Sequence, residues 1–247
     1  MVECFTFGIN NCYILHGEKY AILIDTCPQQ YSNALLNVIK NKNISLLLLT
    51  HGHTDHIGCA DYIAKRLSIP IAMAQEDHIL IERPNARPLF ASTPLGFLIC
   101  QGIKKQKTVP FFQPDIFLTH GQRLEEFGIQ GRIFALPGHT AGSVGVWTAR
   151  KEFFVGDAMM HIGFSLKPRL YENKSNMEQS FRNIWQSDAT AIYMGHGTPV
   201  FRQARPIFKP NIVTIKNTTY LDCCKDMQSI TKKIKHTKEE AHCESTK

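Results

Sequence analysis

The segment Thr50-His51-Gly52-His53-Thr54-Asp55-His56 follows directly on the continuous apolar run Ile44–Leu49, and core packing does not explain it. Four good metal ligands, His51, His53, Asp55 and His56, stand within six residues, separated only by a glycine and a threonine. Imidazole and carboxylate are groups that zinc accepts, and a tight loop at a strand end turns them toward one point. In an extended segment residues i and i+2 share a side, so His51 and His53 point one way while Asp55 and His56 turn toward a neighbouring position. One such loop can serve two ions.

Two ions need more ligands than one loop supplies. His139 follows Leu136-Pro137-Gly138, Asp157 follows Val155-Gly156, and His196 lies between Gly195 and Gly197. Each comes just after an apolar strand and beside a glycine that frees the backbone to turn sharply. Alone, such a histidine reads as a hydrogen-bonded or surface residue and a Gly-Asp pair as a turn. Beside the 51–56 run, the three read as the rest of a ligand set.

The remaining sequence describes a scaffold. Short β-rich runs at Cys4–Phe7, Cys12–Leu15 and Tyr20–Ile24, with turns at Asn10-Asn11 and His16-Gly17, read as an antiparallel meander. Tyr31–Lys40, Asp61–Leu67, Glu76–Ile81 and Met177–Trp185 read as helices, and Ile44–Leu49, Pro70–Ala74 and Ala191–Met194 as strands. A second meander is expected from Ile116–Leu118, Arg123–Phe127, Ile129–Leu136, Ser143–Thr148 and Glu152–Val155. Between Arg83 and Pro114 prolines interrupt an apolar stretch, which marks a functional loop or lid, with a short helix from Leu95 to Ile103 as the alternative. This order points to a layered fold with two sheets inside and helices outside.

Composition narrows the function classes. A chain of 247 residues, 43% of them hydrophobic, buries a full core. We expect a catalytic domain over residues 1–200 and a basic extension over 201–247. That extension holds ten Lys or Arg against five Asp or Glu, so of the net charge of +7 the first two hundred residues carry only +2. A basic tail of this kind reads as a solvated segment rather than a nucleic-acid arm, and a nucleic-acid partner is not expected. No apolar run approaches the roughly 18 residues that span a bilayer, and Met1–Tyr13 lacks the basic start and apolar stretch of a secretory signal. The eight cysteines form no C-x-x-C pair, against both a disulfide framework and a thiolate zinc site. A cytoplasmic protein without membrane contact is the expectation, and the oligomeric state stays open.

Taken as a set, the motifs resemble those of the metallo-β-lactamase superfamily. The matching residues are the His-x-His-x-Asp-His run at 51–56, Pro137-Gly138-His139-Thr140-x-Gly142-Ser143, Gly156-Asp157 and Gly195-His196-Gly197-x-Pro199. Tyr20–Thr26, with Ile24-Asp25-Thr26, also looks like the family's early strand ending in an acidic residue. The resemblance spans roughly Phe5 to Val200 and implies an α+β fold, a four-layer αββα sandwich of two mixed sheets with outer helices and the site at one edge of the paired sheets. It implies a first ion on His51, His53 and His139, a second on Asp55, His56 and His196, and Asp157 bridging both.

The implied activity is that of a metal-dependent hydrolase, with two divalent ions, zinc first and iron or manganese as alternatives, and a bridging hydroxide that attacks an ester-like bond of a small molecule. Asp55 would also orient that nucleophile and relay its proton. The commonest zinc β-lactamases carry cysteine where this chain has Asp157, which points away from antibiotics and toward thioester or lactone substrates. The pattern is closer to glyoxalase II and lactonases, although the stretch after Val200 is too short and polar for a glutathione-gripping helical domain. Phosphodiester cleavage on the same site is the alternative enzyme class, favoured only by the basic tail. A non-catalytic binding protein on this fold is the other, and seven intact ligand positions speak against it. Asp25 is a candidate for fixing a ligand imidazole from behind. His161, four residues past Asp157, is a candidate to face the substrate, against its reading as an ordinary loop histidine. Tyr171 and Tyr193 read as packing residues.

Overall fold

Strands buried almost along their whole length build the opening sheet in a computed structural model that describes residues 1–93, 96–97, 100, 110–161, 165–202 and 211–215. Strand β1 (Val2–Phe7) pairs antiparallel with β2 (Asn10–His16), and β2 with β3 (Ala21–Ile24). The first hairpin turns at Gly8-Ile9, because Phe7 faces Asn10 in the register; Asn10 and Asn11, expected in the turn, start β2 instead. From β3 onward the sheet runs parallel through β4 (Ile44–Leu48) and β5 (Ile71–Met73). Parallel neighbours need crossovers, which α1 (Ser32–Ile39) supplies before β4, and α2 (Thr54–Ile57) and α3 (Ala60–Leu67) before β5. The next helical piece is α4 (Ile79–Glu82).

The strands β6 (Phe90–Ala91) and β11 (Leu170–Tyr171) form a separate two-stranded ribbon. Strand β7 (Ile116–Phe117) joins the first sheet beside β5, in parallel, rather than opening the second meander as its sequence position implied. Arg123–Phe127 is not a strand either. Glu125–Phe127 is a single 3-10 turn, and Arg123 keeps one isolated bridge to Arg132. The adjacent Glu125 and Glu126 break the alternation, and Leu124 is the one fully buried side chain of the run.

The second sheet contains β8 (Gly131–Ala135), β9 (Val144–Thr148), β10 (Glu152–Gly156), β12 (Ala191–Met194) and β13 (Val200–Phe201), in the order β13-β12-β10-β9-β8. Helix α5 (Lys174–Gln186) precedes β12, and β14 (Asn211–Ile215) lies at the β1 edge of the first sheet. The sheets meet face to face. Ile22, Ile24, Leu46 and Leu48 of one and Ile133, Val146, Phe154 and Tyr193 of the other share one core. Each such side chain contributes roughly 1.5–3 kcal/mol when fully buried. Phe153, Val155, Ile192 and Met194, one residue out of phase, form the opposite face of the second sheet and pack with Ile184 of α5. On the outer side of the first sheet α3 packs against β4. The layer order is helix, sheet, sheet, helix, in an α+β fold of two mixed sheets.

Strand direction places the site. β8, β10 and β12 run one way, as do β3, β4 and β5. The N–H of Val144, after the turn that follows β8, donates to the Thr50 carbonyl beyond β4 at 2.8 Å, which joins the two sheets at the edge where those strands end. Met1–Thr214 forms one compact unit. The proposed Leu95–Ile103 helix lies largely, and the 203–247 stretch almost wholly, outside the described residues. Among the described residues no helix is long and apolar enough to cross a membrane.

Candidate metal centre

Each suspected ligand leaves a strand at that shared edge. His51 and His53 continue β4, and the short turn of α2 carries Asp55 and His56. His139 follows β8, Asp157 follows β10, and His196 follows β12. The five histidines and Asp157 are buried, whereas the Asp55 side chain is 26% exposed. Two glycines make the approach feasible. Gly156 sits at φ 51° with Thr50 Oγ1 2.5 Å from where a Cβ would stand, and a Cβ on Gly195 would lie 2.2 Å from Asp157 Oδ1 and 2.6 Å from His56 Cε1.

Three overlapping groups result: His51, His53 and His139; Asp55, His56 and His196; and His51, His56 and Asp157, with the ligand atoms of each group within 4.8 Å of one another. His196 Nε2 is 3.4 Å from Asp55 Oδ2, 3.3 Å from Asp157 Oδ2 and 3.4 Å from His56 Nε2. His139 Nε2 is 2.9 Å from His53 Nδ1 and 3.4 Å from Asp157 Oδ2. Donors bound tetrahedrally at about 2.0–2.1 Å stand about 3.3–3.4 Å apart, so the spacing fits a four-coordinate divalent ion.

The rings are held with lone pairs facing inward. His56 Nδ1 donates to Asp25 Oδ2 (3.0 Å), His139 Nδ1 to the Leu170 carbonyl (3.0 Å) and His196 Nδ1 to the Ile9 carbonyl (2.9 Å), which leaves Nε2 of each as the acceptor nitrogen. His51 Nδ1 rests on Thr50 Oγ1 (3.1 Å), whose own proton goes to Asp25 Oδ2 (2.7 Å). Among the described residues nothing then satisfies His51 Nε2 or Asp157 Oδ1, both fully buried. Unpaired acceptors are costly in a protein interior unless a cation lies among them. The residues therefore fit a metal.

Electrostatics agrees. Burial, reinforced by the neighbouring His56, His139 and His53, drives the His51 pKa well down, and burial with His139 takes His53 to about 4, so both are neutral at pH 7, the state a ligand requires. Burial works against ionisation of Asp55 and Asp157, but His56 and His196 outweigh it and hold both carboxyls well below the usual range. Burial likewise opposes a charged His56, yet Asp157, Asp55 and Asp25 keep its pKa at about 9, and Asp157 and Asp55 raise His196 strongly against the same penalty. Protons occupy those lone pairs in the metal-free protein, and a divalent ion competes for the same positions.

The two candidates the sequence offered around the ligands occupy different places. Asp25 stands directly behind His56 and also accepts the Thr50 N–H at 2.7 Å. His161 does not join the cluster: its Nδ1 contacts the Thr198 carbonyl at 3.0 Å and hydroxyl at 2.8 Å, and its N–H donates to the His196 carbonyl, so it braces the 196–198 loop. Tyr193 stacks on Phe154 at 4.6 Å, a core contact.

Sequence reasoning missed Asp77. Fully buried, it accepts the Gly52 N–H (2.8 Å) and Thr140 hydroxyl (2.6 Å) on one oxygen and the Gly142 N–H (2.9 Å) on the other, where Arg87 also binds. One carboxylate thus ties the 51–53 loop to the 139–142 loop, and Arg87 extends the link to Glu172 at 2.8 Å. Asn10 was missed as well; its Nδ2 donates to Asp55 Oδ2 at 2.7 Å. An aspartate at the start of a helical pattern and an asparagine beside a turn have ordinary local readings, so neither carried a signal.

The family model described as the metallo-beta-lactamase superfamily matches residues 5–196. Among similar proteins is a beta-lactamase-like protein 2 homolog of Caenorhabditis elegans, 26% identical over 203 residues, or 78% of this chain; the chain spans only 57% of that relative's length. The hydroxyacylglutathione hydrolase GloC of Haemophilus influenzae is 28% identical over 205 residues, covering 80% of this chain and 90% of that protein. Solved structures with the same fold include the BLEG-1 B3 metallo-beta-lactamase (TM-score 0.63, 23% identity, 81% of this chain and 94% of that one). The TTHA1623 protein in a di-iron-bound form is another (TM-score 0.60, 21% identity, 79% and 92%). With the family matched over most of its length and a His and Asp cluster at the edge of two packed sheets, this chain belongs to the metallo-beta-lactamase superfamily of metal-dependent hydrolases.

Proposed function

We propose that the chain is a dinuclear hydrolase of an ester-like bond in a small molecule, with thioesters and lactones as the favoured class. The observation that carries this reading is a pair of ligand groups with Asp157 between them: His51, His53 and His139 on one side, Asp55, His56 and His196 on the other. Zinc is the preferred occupant, and the all-His and carboxylate donor set accepts iron or manganese too. When bound, such ions lower the pKa of a coordinated water toward about 7 and polarise the oxygen of the scissile bond.

The chain's own residues divide the remaining work. Asp25, Leu170 and Ile9 fix the His56, His139 and His196 rings, so no reorganisation is needed during reaction. Asp55, the exposed member of the cluster, is held by Asn10 through one oxygen. In this reading its carboxylate takes the proton of the attacking water and passes it to the departing thiolate or alkoxide. The partner is a small-molecule substrate rather than nucleic acid. Cys27 and Cys59 lie buried as free thiols with sulfurs 3.7 Å apart, which suits a reducing cytoplasm.

Metal analysis of the purified protein, with hydrolysis assays on S-lactoylglutathione, a homoserine lactone, a cephalosporin and bis-p-nitrophenyl phosphate, tests the proposal. We expect about two ions per chain and turnover of thioester or lactone. Turnover of the phosphodiester alone would refute the substrate class, and a chain that binds no metal would refute the dinuclear site.

A further inference from the structure

Beside the metal cluster lies a cleft of about 470 Å³ that opens onto His53, within the range of small-molecule sites. Its walls come from the 84–91 segment and the β6–β11 ribbon, with Pro84, Pro88, Leu89, Phe90 and Tyr171 supplying apolar surface. Phe90 and Tyr171 face each other across the ribbon, their rings stacked at 6.0 Å and 29°, and Phe90 remains 51% exposed. The ribbon is tied to the site itself: the Leu170 carbonyl orients His139, and the Glu172 N–H donates to the His139 carbonyl at 3.0 Å.

Charge decides what this cleft can hold. Arg87 is the one cation among its described lining residues, and its guanidinium is engaged by Glu172, by Asp77 and by the Glu76 carbonyl. Glu172 and buried Asp77 more than neutralise it. Among the described lining residues a phosphate or a peptide carboxylate would find no unpaired positive side chain, and it would meet the Glu172 carboxylate. An uncharged hydrocarbon or aryl group would cover exposed aromatic surface at no such cost.

Building on the hydrolase reading above, we infer that this cleft seats an uncharged apolar arm of the substrate, with Phe90 and Tyr171 as specificity-determining residues. Neutral alkyl or aryl esters and thioesters then outperform S-lactoylglutathione, whose carboxylates meet no unpaired cation among the described lining residues.

Two homologous series on the metal-loaded full chain test the assignment: p-nitrophenyl esters from acetate to octanoate, and alkyl thioacetates of growing thiol length. In the series whose variable arm enters the cleft, kcat/KM should rise about fourfold per methylene until the cleft is full. Phe90→Ala and Tyr171→Ala should each cut the ratio of longest to shortest substrate several-fold. Phe90 is half exposed, so its truncation leaves the core alone. N-methyl alkanamides titrated by calorimetry read the cleft without turnover, and their Kd should fall with chain length in the unaltered chain and flatten in both variants. Esters hydrolysed with no length dependence in either series would overturn the cleft assignment and leave the hydrolase reading intact. Length-dependent amide binding without turnover of any ester, thioester or lactone would do the reverse.

Discussion

At the residue scale the site is a set of imidazoles, four of which (His51, His56, His139 and His196) have their outer nitrogens hydrogen-bonded, so that the inner ones face one another and two carboxylates. Asp157 holds the central position, 3.3 Å from His196, 3.4 Å from His139 and 3.6 Å from His56. Asp157→Ala should therefore remove both ions together, with activity, as read by elemental analysis; a variant that kept two ions would show that this carboxylate does not bridge. Asp25 acts one bond further out. Asp25→Ala frees the His56 ring and should weaken metal affinity by about 10–100-fold in a chelator competition, with the protein still folded. Both residues follow apolar strands in the sequence, and that setting made them legible. Asp77, which no local pattern marks, carries a comparable structural duty.

At the element scale what matters is how closely the strand ends approach. The loops after β10 and β12 nearly touch at Gly195, where a Cβ would fall on the Asp157 carboxylate and the His56 ring. Gly195→Ala should leave the secondary structure unchanged by circular dichroism and still lose metal, because the strain falls on ligands instead of on the core. Asp77→Asn probes the link between the 51–53 and 139–142 loops. Removing the negative partner of Arg87 in a buried network costs on the order of 3 kcal/mol, which urea denaturation would read as a lower midpoint with an unchanged slope. A midpoint within experimental error of the parent's would show that the two loops do not depend on this carboxylate. The strands themselves were legible where apolar, β-prone residues run together between turn residues, as in Val144–Thr148. They were illegible where two charged residues adjoin, as at Glu125-Glu126, or where the strand has two residues, as in Phe90–Ala91.

At the scale of the whole molecule, the buried cluster couples stability to pH and to metal. In the metal-free chain burial and His139 hold His53 at about 4, so it takes up a proton less readily than the unfolded chain does near 6.5; stability is lost as pH falls from 6.5 toward 4. His56, held at about 9 by Asp157, Asp55 and Asp25 against its burial, has the opposite sign: its contribution is complete below 6.5 and disappears as pH rises through 9. Each slope amounts to roughly 3 kcal/mol over its range, and the two meet near the ordinary histidine pKa. Urea midpoints of chelator-treated protein between pH 5 and 9 should thus peak near 6.5, and a monotonic trend would contradict the assignment. Reloading metal to a thousandfold excess over its Kd should add about 4 kcal/mol. The sequence alone determined the kinds of ligand, the layered α+β architecture and the family, because ligand type, hydrophobic period and glycine spacing are local properties. Only the tertiary structure decided that Asp77 joins loops 25 and 63 residues away, that His161 hydrogen-bonds Thr198, and that Phe90 meets Tyr171 beside His53. Those contacts depend on strand direction and register between distant segments, and no short-range pattern in a chain encodes them.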